Sequence, residues 1–226
     1  MSPPKAALFD VDGTLVDTVD LHAACWVEAL QHFGVTATFD DIRLQIGKGG
    51  DQLLPGLVPP DLLSARQGEI EDFRGELFKR DYMPRATPFA GVPLLFERLR
   101  GAGLKVALAS SGKDEEVDHY MGLLGVHDLV DVATTSDDAE RSKPFPDIFQ
   151  AALRKLGLED PASAMVIGDT PYDMEAARSG GIPGIGVLSG GFSEIALRQA
   201  GSVAVYEGPQ DLLDRFAGSP LAGGLA

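Results

Sequence analysis

Short apolar bursts of strand length recur along the chain, at Ala6-Ala7-Leu8-Phe9, Val106-Ala107-Leu108-Ala109, Val130-Asp131-Val132-Ala133, Met165-Val166-Ile167 and Ile185-Gly186-Val187-Leu188. Those without a polar break suit parallel strands covered on both faces. Helical patterns separate them. Val92 to Leu99 carries Leu94-Leu95-Phe96 and Leu99, with Gly101 as a stop, and Asp147 to Leu156 groups Ile148, Ala151-Ala152 and Leu156 on one face, ended by Gly157. This alternation predicts an α/β fold, an open, doubly wound, Rossmann-like parallel sheet. It is broken from about Asp17 to Met83, where only helical patterns occur: Leu21 to Phe33, a start at Asp40-Asp41, and a long charged helix from Asp61 to about Arg80 behind Pro59-Pro60. The simplest account is an all-helical insertion after the first strand. Residues 1–16 and 85–226 would form the core domain and 17–84 a cap domain, with hinges near Gly13–Asp17 and Tyr82–Pro88. The Gly-rich stretch from Gly218 is expected to fray over 218–226.

A length of 226 residues suits one domain carrying such an insertion, and 44% apolar residues can fill its core. The net charge of −15 argues against nucleic acid or an anionic membrane as partner. No apolar run approaches membrane-span length, and because Asp10 and Asp12 interrupt the first apolar stretch no signal peptide is expected there. The single cysteine, Cys25, cannot form an internal disulfide. A cytoplasmic protein, monomeric or weakly dimeric, is expected.

The chemistry gathers at strand ends. Asp10-Val11-Asp12-Gly13-Thr14 closes the first burst. Strand residues two apart point to one side, so both carboxylates can face a site at the carboxyl edge, where open parallel sheets bind ligands. An Asx-type turn with Gly13 at its bend explains the same residues structurally. Ser110-Ser111-Gly112 ends the next burst, where hydroxyl and N–H groups can hold an anion. Lys143, before Pro144, reads in isolation as a solvated lysine. Gly168-Asp169-Thr170-Pro171-Tyr172-Asp173 follows the fourth burst, where Thr170 or Asp169 also suits an N-cap and Pro171 the first helical position. No G-x-S-x-G, G-x-x-x-x-G-K-[ST], G-x-G-x-x-G or H-E-x-x-H motif is present.

In these four motifs, in this order, the chain resembles the haloacid dehalogenase superfamily, and the insertion matches that superfamily's α-helical cap, as in its phosphoglycolate phosphatase and β-phosphoglucomutase-like group. The resemblance implies a Mg²⁺-dependent phosphatase acting on a small phosphorylated metabolite. Asp10 would be the nucleophile that becomes an aspartyl phosphate, and Asp12 would protonate the leaving oxygen and later activate water. Ser110, Ser111, Lys143 and Thr14 would hold phosphoryl oxygens. The Asp10 side chain, the Asp12 backbone carbonyl and Asp169 would bind Mg²⁺, with Asp173 orienting them.

The resemblance also frames the alternatives. Dehalogenases of the superfamily lack an aspartate at the position of Asp12. Sugar phosphomutases typically read Glu-Asp where this chain has Gly168-Asp169, Ser-Lys-Asn where it has Gly112-Lys113-Asp114, and carry a cap-loop arginine absent from Gly47-Lys48-Gly49-Gly50. A phosphonate-cleaving relative would use a cap lysine, for which Lys48 is the candidate. A non-catalytic phospho-acceptor module would need neither Asp12 nor the insertion. Lys48 and Gly49 of the Ile46–Asp51 loop, with His22 and Trp26 four apart on one helix face, are candidate specificity residues; a plain glycine turn and a packing pair are the alternatives. His32, His119 and His127 have no metal-ligand spacing.

Overall fold

A computed structural model describes residues 3–223 of the chain. In chain order, β1 (Ala6–Phe9) and β2 (Val16–Asp17) lead into α1 (Val19–His32), α2 (Phe39–Arg43), α3 (Gly50–Leu53) and α4 (Pro60–Leu77), which continues as a π-helical turn over Phe78–Tyr82. Then follow β3 (Thr87–Pro88), α5 (Val92–Gly101), β4 (Lys105–Ala109), α6 (Asp114–Leu124), β5 (Val132–Thr134) and α7 (Asp147–Leu156). β6 (Ala164–Gly168), α8 (Pro171–Ser179), β7 (Gly184–Val187), α9 (Glu194–Ala200), β8 (Ser202–Tyr206) and α10 (Pro209–Asp214) complete the order.

Six strands form one parallel sheet in the order β5-β4-β1-β6-β7-β8. Alternation along β1 divides its side chains between two cores. Ala7 and Phe9 join Val106, Leu108, Met165 and Ile167 under α5 and α6, while Ala6 and Leu8 join Ala107, Ala109 and Val166 under α7 and α8. Because both faces are covered, the central strands β1 and β6 carry no polar side chain. The central position of β1 brings its carboxyl end between those of β4 and β6.

The helical segment has a third core of its own, from Val19, Ala23, Trp26, Leu30, Ile42, Leu53 and Ile70. It leaves and re-enters the sheet through β2 and β3, which pair antiparallel with Val16 opposite Pro88 and Asp17 opposite Thr87. The expected tail needs correction. Residues 216–222 make two 3₁₀ turns in which Ser219 and Leu221 are buried, Leu221 within the core under α5. Apolar packing outweighs the Gly-rich composition there; residues 224–226 of the expected tail lie outside the described residues. Among the described residues, no helix is long and apolar enough to cross a membrane.

Candidate active site

After Phe9 the chain reverses tightly. Leu15 N–H donates to Val11 O and Gly13 N–H to Val16 O, both at 2.8 Å, with Gly13 at φ 80°. Only glycine takes that angle freely, and a Cβ at 13 would stand 2.4 Å from Asp169 Oδ2. At the end of β6, Thr170 caps α8: its hydroxyl accepts from Asp173 N–H at 3.2 Å, while Asp173 Oδ2 accepts from Thr170 N–H at 3.1 Å. The capping box and Pro171 in the first turn fix Asp169 and Asp173 on either side of the helix entry.

Lys143 comes in from the segment after β5, and its side chain is 1% exposed. Its ammonium donates to Asp10 Oδ1 and, at 2.8 Å, to Asp173 Oδ1. A lone buried lysine would lose its charge. Burial does work against the Lys143 ammonium, but Asp10 and Asp173 outweigh it and hold its pKa above the ordinary lysine range. Burial pushes the Asp10 carboxyl up to about 7 despite Lys143. Burial, with Asp10 and Asp173 alongside, raises Asp169 well above the usual carboxylate range.

Oxygens of Asp10, Asp169 and Asp173 lie within 4.8 Å of one another. Asp169 Oδ2 is buried without a hydrogen-bond partner, and the backbone around it is kept bare, since a Cβ at Gly190 would fall 1.7 Å from that atom. An unpartnered oxygen in a nest of buried carboxylates fits a hard divalent cation. Asp169, with its unpartnered Oδ2, is the residue free to hold it; the Asp10 oxygens beside it face Lys143 and Thr14, and those of Asp173 are taken by Thr170 and Lys143.

Asp12 turns towards the helical segment. Its Oδ1 accepts from Thr18 Oγ1 at 2.6 Å and from His22 Nε2 at 2.7 Å. His22 Nδ1 faces the Arg74 guanidinium. His22 stacks on Phe78 at 4.0 Å between centroids, and Arg74 lies over the rings of Trp26 and Phe78 at 5.3 and 4.8 Å. Burial alone would raise Asp12, but His22, Thr18 and the Arg74 charge bring its pKa down to about 2. In this arrangement Asp12 is a carboxylate.

Asp10, Asp12, His22, Lys48, Ser111 and Lys143 are among the residues around a chamber of about 80 Å³. The strand-end motifs therefore converge in space. Ser111 lines the chamber, whereas the buried Ser110 hydroxyl accepts from Gly112 N–H at 3.0 Å and shapes the loop. Thr14 is corrected from its expected phosphate role: it is fully buried, with its hydroxyl 3.1 Å from Asp10 Oδ2 and 3.0 Å from Asp169 Oδ1, and so holds carboxylates in place. Trp26 and Gly49 also reach the cleft. Lys48 donates to Gln45 at 2.6 Å and lies over the Tyr172 ring. Gly49 N–H donates to Ser142 Oγ at 2.9 Å, and a Cβ at 49 would collide with Ser142, so glycine there permits a close approach.

Arg74, Thr18 and Glu116 are site residues that sequence reasoning missed. The expected lack of a cap-loop arginine holds for the loop itself, but α4 delivers one instead. The only sequence signal for it is helical register, which places Arg74 four positions before Phe78 and four after Ile70.

Residues 7–187 match the family model of haloacid dehalogenase-like hydrolases. The chain belongs to this family. It is accordingly a hydrolase, built on the expected sheet. Among its curated relatives, the phosphoglycolate phosphatase of Aquifex aeolicus is 28% identical over 178 residues, covering 78% of this chain and 81% of that protein. Protein Suppressor of Quenching 1 of Arabidopsis thaliana is 32% identical over 204 residues, which are 87% of this chain but only 19% of that much longer protein. The crystal structure of a hydrolase from Pseudomonas syringae superposes with a TM-score of 0.86 at 31% identity, covering 94% of this chain and 97% of the other.

Proposed function

We propose that this haloacid dehalogenase-like hydrolase is a Mg²⁺-dependent phosphatase that cleaves a small phosphomonoester through an aspartyl phosphate on Asp10. The observation that carries this reading is the buried Asp10–Lys143–Asp173 ion cluster at the floor of a chamber that Asp12 also lines. A carboxylate and an ammonium side by side can attack an anionic phosphorus centre and hold its oxygens.

In the first step an Asp10 carboxylate oxygen forms a bond to phosphorus, the ester P–O bond breaks, and the leaving oxygen takes a proton from Asp12. In the second, Asp12 takes a proton from water as its oxygen bonds to phosphorus and the Asp10–P bond breaks, releasing phosphate. Lys143 and Ser111 hold the phosphoryl oxygens throughout. Asp10 and Asp169, with the Asp12 carbonyl that family resemblance adds, would hold Mg²⁺, which when bound neutralises charge between nucleophile and substrate. Asp12 must be protonated to act first, so its contact with His22 has to loosen when substrate arrives.

Residues 17–84 would act as a lid over the core of 1–16 and 85–226, turning about the β2–β3 pair. Polar contacts across the cleft include Gly49 and Asp51 with Ser142, Leu44 O with Tyr172, and Arg43 with Gly190 O, while Cys25, Ala29, Leu77 and Phe78 pack into the core under α5. Hydrolysis is favoured over mutase action because a Cβ at 168 would stand 2.5 Å from Asp173 Cβ, leaving no room for the glutamate of the mutase pattern. A reducing cytoplasm fits the buried free thiol of Cys25.

Two results test this reading. Chelation should abolish phosphate release and Mg²⁺ restore it, and Mg²⁺ should raise the melting temperature of wild type but not of Asp169→Asn. Asp12→Asn should slow turnover of alkyl phosphates by about 10²–10⁴-fold. With p-nitrophenyl phosphate, whose leaving group needs no proton, the same variant should show a burst followed by slow release. Equal rates in the presence and absence of metal would refute the metal requirement.

A further inference from the structure

Beyond Ser111 and Gly112 the cleft widens into a lobe of about 290 Å³, which shares Trp26, Arg74 and Glu116 with the chamber at Asp10. The larger volume leaves room for an alcohol moiety well beyond the phosphate itself. The charged side chains around the lobe are Asp51, Glu71, Glu116, Glu140, Arg74 and Lys113. Carboxylates outnumber cations there. Arg74 Nη1 lies 3.7 Å from Glu116 Oε1, and Lys113 Nζ lies 4.0 Å from Asp72.

Two atoms in this wall lack a partner. Arg74 Nε and Glu116 Oε2 are both buried and unbonded, although Glu116 as a whole is only 8% exposed. A buried polar atom left without a partner is costly, so the pair awaits one. It consists of a donor and an acceptor on neighbouring side chains. A hydroxyl group both donates and accepts, and so suits either member. A carboxylate or second phosphate would suit Arg74 Nε but would meet the Glu116 carboxylate as a like charge in a poorly hydrated place. Glycine at 112 is what allows this: a Cβ there would stand 2.8 Å from Glu116 Oε2.

We infer that the lobe selects an uncharged, polyhydroxylated alcohol of sugar or cyclitol size as the esterified group, and that Glu116 is the specificity-determining residue that turns anionic leaving groups away. The inference rests on the phosphatase reading and deepens it, and the two can fail separately.

The experiment measures phosphate release with Mg²⁺ from p-nitrophenyl phosphate, from hexose and inositol monophosphates, and from phosphoglycolate and pyrophosphate. Wild type should favour at least one polyol ester over both anionic substrates by about tenfold or more in kcat/KM. Glu116→Gln should narrow that ratio by about tenfold, mainly through a lower KM for the anionic substrates. Phosphoglycolate or pyrophosphate cleaved as well as every polyol ester would overturn the inference and leave the phosphatase standing. So would p-nitrophenyl phosphate turnover with all polyol esters inert. An unchanged ratio in a folded Glu116→Gln removes Glu116 from its role. The wild-type panel decides the substrate class even if that variant does not fold. If no ester releases phosphate, the phosphatase reading falls and this inference with it.

Discussion

Asp10→Asn is expected to lower phosphate release by roughly four orders of magnitude or more, as loss of a nucleophile does elsewhere, while leaving the protein folded. The amide is nearly isosteric with the carboxyl it replaces and keeps an oxygen that can accept from Lys143, but it has no charged oxygen to form the phosphoryl bond. Stability should change little because two electrostatic effects oppose each other. Lys143 loses one counter-charge but keeps Asp173 at 2.8 Å, and Asp169 is relieved of a like-charged neighbour that helps to raise its pKa. The melting temperature should therefore stay within a few degrees of wild type, separating lost chemistry from lost structure. Wild type quenched during turnover of a ³²P-labelled ester should carry label on the peptide containing residue 10, and the variant none. Turnover of the variant at a rate near wild type would remove Asp10 from the mechanism.

The strand ends that build this site are legible in the sequence because a parallel strand covered on both faces has no polar residue until it leaves the sheet. The position at which the apolar run stops in Ala6–Asp10, or in Val106–Ser110, therefore marks the functional edge. That logic fails for β8, where Val203 is 41% exposed and the edge of the sheet relaxes the demand for continuous apolar residues. It fails also for β2 and β3, since two-residue strands have no period to read.

Thr14 and Arg74 were opaque for another reason. A threonine after an Asp-x-Asp-Gly turn suits a phosphate grip or a carboxylate clamp equally well, and only its burial beside Asp169 decides. Arg74 lies on a helix whose charges point in many directions. Its inward placement follows from the packing of α4 on α1, which brings it against His22 and Trp26. Glu116 is one of three successive acids opening α6, alike in sequence and distinguished only by its burial.

Lys143→Met is the substitution expected to cost stability most heavily, and activity along with it. The ammonium is the only cation in contact with Asp10 and Asp173 among the described residues, and methionine matches much of its length without the charge. Removing one partner of a buried pair typically costs about 3–5 kcal/mol, which for a chain of this size lowers the melting temperature by roughly 10 °C. The pH dependence should identify the cause. Asp10 already has a folded pKa of about 7, above its unfolded value, so its ionisation favours the unfolded chain. The stability linked to that group is complete below pH about 4 and is lost as pH rises towards 7. Without Lys143, which pulls the Asp10 pKa down, the loss should extend to higher pH. Metal-free melting curves between pH 5 and 8 should therefore diverge, the variant falling furthest behind wild type at the alkaline end. Mg²⁺ should recover more of the melting temperature in the variant than in wild type, because it neutralises the same carboxylates. It should not recover turnover, which stays about 10²–10³-fold low for want of a phosphoryl-oxygen donor. A variant whose melting temperature matches wild type at every pH would show that the cluster does not depend on this lysine for its charge balance.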